Sequence, residues 1–176
     1  MEITKNMIMN ARTYLPLEEK EAFAAKNAAR CFDRLQISAG NDAMPPMYME
    51  NAAIRLRYLM YAMAHLYLGA SVETDTQDGG AESELMTVAE YDKWAGSHVF
   101  MQMERLKKEA DIRNKVFDLL SDYFQLEKMF DRQIRGLLDV QNDAVVRQSM
   151  MMKADAAELP KLIEALNALR ETGKGE

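Results

Sequence analysis

Apolar positions recur at helical spacing along most of this chain. Ile3, Met7, Ile8 and Ala11 form the first stripe, with Thr4 placed to cap a short helix. Tyr14, Leu15 and Pro16 end it. Pro16 suits the first position of a second helix whose first turn holds Glu18 and Glu19, where the helix dipole favours acids. On that helix Ala24, Ala25, Ala28, Cys31, Phe32 and Leu35 share a face of mostly small residues, which predicts close packing against a neighbour. Residues 37–49 read as a loop, punctuated by Gly40, Asn41, Asp42 and Pro45-Pro46.

Residues 50–68 begin with Arg55 and Arg57 and become almost wholly apolar from Tyr58 onward. A helix apolar on all sides is surrounded by other elements, so this one is expected to be central. Residues 69–84 carry Glu73, Asp75, Asp78, Glu82 and Glu84 around Gly79-Gly80 without a Lys or Arg, and read as a mobile acidic loop. Thr87 and Glu90 match a capping box for a short helix ending at Gly96.

From Ser97 to Leu159 there is no proline and a single glycine, Gly136. Ser97 and Asn142-Asp143 read as the ends of one long helix, about 65 Å at 1.5 Å per residue. Its stripe runs through Met103, Leu106, Ala110, Val116, Leu120, Tyr123, Phe124, Leu126, Phe130, Ile134 and Leu137, and slips at Ile112, where Arg113, Asn114 and Lys115 interrupt it. A kink there would let both halves pack into one bundle. A straight helix would leave part of the stripe for a second chain. Val145, Val146 and Met150 to Met152 suggest a further short helix, and Leu159, Leu162, Ile163, Leu166 and Leu169 a final amphipathic one closed by Gly173. The expectation is an all-α fold: an irregular helical bundle organised around one long helix, kinked or straight, and a central apolar helix. It is read as a single helical domain over 1–172, with a frayed tail at 173–176.

Composition narrows the function. With 48% hydrophobic and 28% charged residues the chain has the make-up of a folded domain. A net charge of -6 disfavours nucleic acid and anionic membrane surfaces as partners. The longest apolar run, residues 58–70, is too short to span a bilayer. The single Cys31 has no partner for an internal disulfide, so a cytoplasmic protein is expected.

No pattern of chemistry emerges. The histidines, His65 and His98, are preceded at i−3 by Ala62 and Ala95, not by the Glu that a di-iron bundle requires. Counting Glu73, Asp75, Gln77 and Glu84 as an EF-hand puts Asp78 where Gly is needed, and shifting by one puts Leu85 where the bidentate acid is needed. Neither a metal, a cofactor nor a catalytic residue is expected, and the protein is read as not an enzyme. The 15 methionines are more informative. Met60 and Met63 suit a core, whereas for Met44, Met47 and Met49 in a loop and Met150, Met151 and Met152 in succession a surface that accepts varied apolar partners is as good a reading as packing.

Two segments, Tyr91-Asp92-Lys93-Trp94-Ala95-Gly96-Ser97-His98 leading into the long helix and Gln141-Asn142-Asp143 followed by Val145-Val146-Arg147, resemble small helical proteins encoded in phage and prophage gene clusters of Gram-positive gut bacteria. The resemblance covers about the C-terminal half. It implies no catalytic residue, and a role in building or adapting a virion or in acting on a host protein in the host cytoplasm. The sequence therefore favours an interaction or assembly protein that takes a protein partner, such as an amphipathic helix. A self-assembling subunit, a connector-like ring or a dimer, is the alternative. A small-molecule pocket lined by Tyr58, Tyr61, His65 and Trp94 ranks behind both.

Overall fold

The structure, a computed structural model, describes residues 1–35, 38–39, 42–43, 47–76 and 82–172. The side chains of 35, 38–39, 42–43, 76, 82–83, 152–159, 161–163 and 165–172 also lie outside what is described, so the readings of Met44, Gly79-Gly80, the tail at 173–176, and the Met152 and leucine-stripe side chains fall beyond it. The described elements are mostly helical, with a long helix as expected, but short strands are present and the fold is not strictly all-α.

In chain order they are α1 (Lys5–Asn10), α2 (Leu17–Ala28), β1 (Phe32–Leu35), β2 (Ser38–Ala39), β3 (Asp42–Ala43), β4 (Met47–Glu50) and α3 (Ala52–Tyr61), continued by a π-helical stretch over Ala62–Tyr67. There follow β5 (Thr74–Thr76), β6 (Glu82–Met86), α4 (Val88–Gly96), α5 (Val99–Leu106) and α6 (Arg113–Thr172). The strands pair as β1 with β4, β2 with β3 and β5 with β6, the last two pairs antiparallel.

The chain divides into two compact units, Met1–Phe32 with Glu50–Leu137, and Asp33–Met49 with Leu138–Glu176. The first holds the buried core. Thr4 caps α1 by accepting from the Met7 N–H at 3.3 Å, and Ile3, Ile8 and Ala11 are buried as their spacing predicts. The second helix ends at Ala28, not beyond Leu35. Its buried face is Lys20, Phe23, Ala24, Asn27 and Ala28. Cys31 is buried past the helix end, where its carbonyl accepts from Asn51 N–H at 2.7 Å, and Phe32–Leu35 is extended as β1. Burial pushes the Cys31 thiol up to about 12, with the nearby Glu50 adding to the shift, so it stays protonated and unreactive at neutral pH.

The central helix is enclosed from Tyr58 to Ala64 and again at Tyr67, all of them buried, with His65 exposed and Leu66 half-buried between. Residues 69–84 are not simply a solvated loop. They contain β5 and part of β6, Arg57 pairs with Asp75, and Glu84 accepts from Lys26 at 2.9 Å and from Asn27 at 2.6 Å. Half of the capping box forms. Thr87 accepts from the Glu90 N–H at 3.2 Å, but the Glu90 carboxylate turns to Trp94 Nε1 at 2.8 Å, and the Thr87 N–H donates to the Glu73 carbonyl at 3.0 Å.

The expected helix over 97–141 is two helices. Ser97 does not start α5 but closes α4 as its C-cap, its hydroxyl donating to the Trp94 carbonyl at 2.7 Å, and His98 turns the corner in the left-handed region with φ 54°. The chain breaks again over 107–112, just before the slip at Ile112. The tight turns there bury Ile112 completely, and Arg113 Nε donates to the Lys107 carbonyl at 3.1 Å, satisfying one of the orphan carbonyls at the end of α5. At the other end Asn142-Asp143 does not stop the helix, and α6 continues through Pro160 to Thr172.

A buried polar centre ties the first unit together. The Asp122 carboxylate on α6 accepts from Lys20 Nζ at 2.5 Å, Tyr67 Oη at 2.8 Å and the Leu15 N–H at 2.9 Å. Lys20 and Asp122 are 3% and 6% exposed, so the pair is removed from water and each group depends on its partners. Burial and the bond to Asp122 push the Tyr67 hydroxyl far above its usual range and keep it a neutral donor. The centre fixes the register of α6, and the next residues, Tyr123 and Phe124, open the groove described below.

Candidate interaction surfaces

In the first unit, four helices leave a groove of about 220 Å³. Its floor is Leu59 and Met60 of α3, with Leu120 and Tyr123 of α6, and its walls are Tyr91 of α4 and Phe100 of α5. Leu56 and Phe124 line it while remaining 43% and 45% exposed. Glu104 and Glu127 are the charged residues of the lining. The rings form a chain: Phe100 to Tyr123 at 5.6 Å between centroids, Tyr123 to Phe124 at 5.8 Å, and Phe100 to Phe124 at 6.5 Å with the planes only 18° apart. Almost fully buried beneath the groove, Tyr123 is held neutral well above its ordinary range, and its hydroxyl donates to the Leu59 carbonyl at 3.4 Å.

Sequence reasoning missed this groove. In one uninterrupted helix Phe100 and Tyr123 would stand about 35 Å apart. The turn at 107–112 folds α5 back so that they touch. The available signal was the stripe slip at Ile112 together with aromatic residues on both sides of it.

The residues expected to line a pocket are placed differently. Tyr58 and Trp94 are closed in the core: Tyr58 meets Phe23 at 6.5 Å and Phe130 at 6.2 Å, and the Trp94 indole donates to Glu90. Tyr61 and His65 do come together, with ring centroids 5.1 Å apart. His65 is exposed, and its Nδ1 lies 3.0 Å from the Ala70 carbonyl oxygen.

In the second unit, β4 and α6 carry the methionines singled out above. Tyr48 and Asn142 bond each other twice, Tyr48 N–H to Asn142 Oδ1 at 3.3 Å and Asn142 Nδ2 to the Tyr48 carbonyl at 3.4 Å, which sets β4 against one face of α6. That face, from Leu138 through Asn142 and Val145 to Ser149, is half-buried. Val140, Val146, Met150 and Met151 lie on the far flank and are exposed, the two methionines at 65% and 67%. Met47 and Met49, two apart on β4 and so on one side of the strand, are exposed as well.

Among the described residues no group of His, Cys, Asp and Glu is arranged to hold a metal ion, and no helix is long and apolar enough to cross a membrane. No protein-family model, curated protein or solved structure matches the chain.

Proposed function

We propose that this is a non-enzymatic helical interaction or assembly protein, an adaptor or chaperone-like factor of phage or prophage origin, and that it takes its partner on the exposed flank of α6. The observation that carries the reading is the state of that helix. Beyond Ile134 no described side chain of α6 is buried, yet Val140, Val146, Met150 and Met151 stand in water on one flank. Grouped apolar exposure of this kind marks contact surfaces, and adaptable thioethers suit a partner helix laid along the flank.

Replacing Met150 and Met151 together with Gln tests it. Partner capture by the immobilised protein is expected to fall about tenfold, equivalent to about 1.4 kcal/mol. The thermal melt should stay within about 0.5 kcal/mol of the parent, as for other exposed substitutions. Undiminished capture would remove the assignment. If the same substitutions instead abolish a self-associated species in light scattering, the flank belongs to a second copy of the chain and the protein is a self-assembling subunit.

A further inference from the structure

We propose that the groove between α3, α4, α5 and α6 binds an arginine side chain carried by an apolar segment of a partner polypeptide. The groove lies in the first unit and the α6 flank in the second, so either reading can fail without the other.

Charge complementarity and ring geometry argue for the occupant. The charged lining is two carboxylates, Glu104 and Glu127, set among the rings of Tyr91, Phe100, Tyr123 and Phe124. Aromatic faces attract cations through their quadrupole, and carboxylates beside them add charge-assisted hydrogen bonds. Each carboxylate meets one cation of its own chain, Glu104 with Lys107 at 2.5 Å and Glu127 with Arg55 at 3.5 Å. Neither cation lines the groove, and Arg55 makes its closer contact, 2.6 Å, to Asp131. Both carboxylates therefore keep acceptor capacity for a ligand.

Arginine fits better than lysine. Its guanidinium is flat, delocalised and weakly hydrated, which suits the near-parallel Phe100 and Phe124 rings, whereas an ammonium holds its water strongly. The volume of about 220 Å³ equals about seven waters at roughly 30 Å³ each, room for one long side chain and not for a helix. The half-exposed Leu56 and Phe124 at the rim offer apolar contact to residues on either side of the arginine, which a small free cation would leave uncovered. Past Phe100 a more open hollow continues along α5 over Met101, Arg105 and Lys108 and shares Phe100 and Glu104 with the groove, whose own lining holds neither of those two cations.

The test uses the full-length protein and three probes, acetyl-Leu-Arg-Leu-amide, the same tripeptide with citrulline for arginine, and benzamidinium. Citrulline keeps the shape and removes the charge. In titrations followed by amide chemical shifts, the arginine peptide is expected to move Phe100, Tyr123 and Phe124 and to bind at least tenfold more tightly than the citrulline peptide. Glu104→Gln with Glu127→Gln should reduce that ratio to twofold or less, with an unchanged far-UV melt confirming the fold. Phe100→Ala provides a second variant and should weaken the arginine peptide at least fivefold. Equal affinity for arginine and citrulline, absence of binding, or shifts confined to other surfaces would overturn the proposal. Benzamidinium binding as tightly as the peptide would overturn the segment and leave a small-cation site.

Discussion

Asp122→Ala is expected to destabilise the first unit by about 3–5 kcal/mol, the range for breaking one side of a buried ion pair. Three donors on three parts of the chain converge on this carboxylate: Leu15 N–H, Lys20 Nζ and Tyr67 Oη. Its removal leaves the Lys20 ammonium 3% exposed, with the Tyr14 ring at 5.1 Å as its other favourable contact, and orphans a hydroxyl and an amide in the core. Denaturant unfolding followed by the fluorescence of Trp94, the sole tryptophan and buried in the same unit, reads the loss. The paired replacement Lys20→Met with Asp122→Leu should recover the part that comes from the unpaired Lys20 charge, while the Tyr67 hydroxyl and the Leu15 N–H stay without their acceptor and keep the rest of the loss. A loss below about 1 kcal/mol in Asp122→Ala would mean that water reaches the carboxylate and that the centre does not hold the unit together.

Phe130→Ala should cost a similar amount, about 3–5 kcal/mol, through lost transfer energy and the cavity left behind. Phe130 is fully buried, and its ring meets Phe23 of α2 at 5.5 Å and Tyr58 of α3 at 6.2 Å, so truncation opens the junction of three helices. Phe117, on the same helix but 62% exposed, is the internal control. Its replacement by Ala should stay within about 0.5 kcal/mol of the parent. Equal effects at 117 and 130 would contradict the orientation of α6 in the first unit.

Local patterns were readable in the sequence, and long-range pairings were not. The caps at Thr4 and Thr87 and the enclosure of the apolar run after Tyr58 follow from spacing and side-chain chemistry within a few residues. β1 and β4 did not show, because strands of four residues leave little room for alternation and their pairing lies across a segment that reads as turns. The break at 107–112 left only the slip at Ile112. Without a proline or glycine there, the periodicity favoured a continuous helix. Lys20 carried a signal that was easy to pass over. It stands three and four residues before Phe23 and Ala24 on the buried face, but a lysine on a helix reads as solvated until its partner, 102 positions away, is known. The groove depends on the same break, since it brings Phe100 onto Tyr123. The exposure of Met150 and Met151 needed no pairing to foresee, because three methionines in succession cannot all face one core.

The most direct test of the α6 flank as a contact surface is site-specific photo-crosslinking in cells producing the protein. A benzoylphenylalanine replacing Met150, one turn from Val146, would be compared with one replacing Gln148, which is also exposed but lies about half a turn around the helix from both Met150 and Val146. The account predicts a discrete adduct from position 150, at least about fivefold stronger than from position 148 and lost when Val146 is replaced by Gln, as expected when a neighbouring apolar contact is removed. Equal labelling from the two positions, or a discrete adduct from 148 alone, would contradict it.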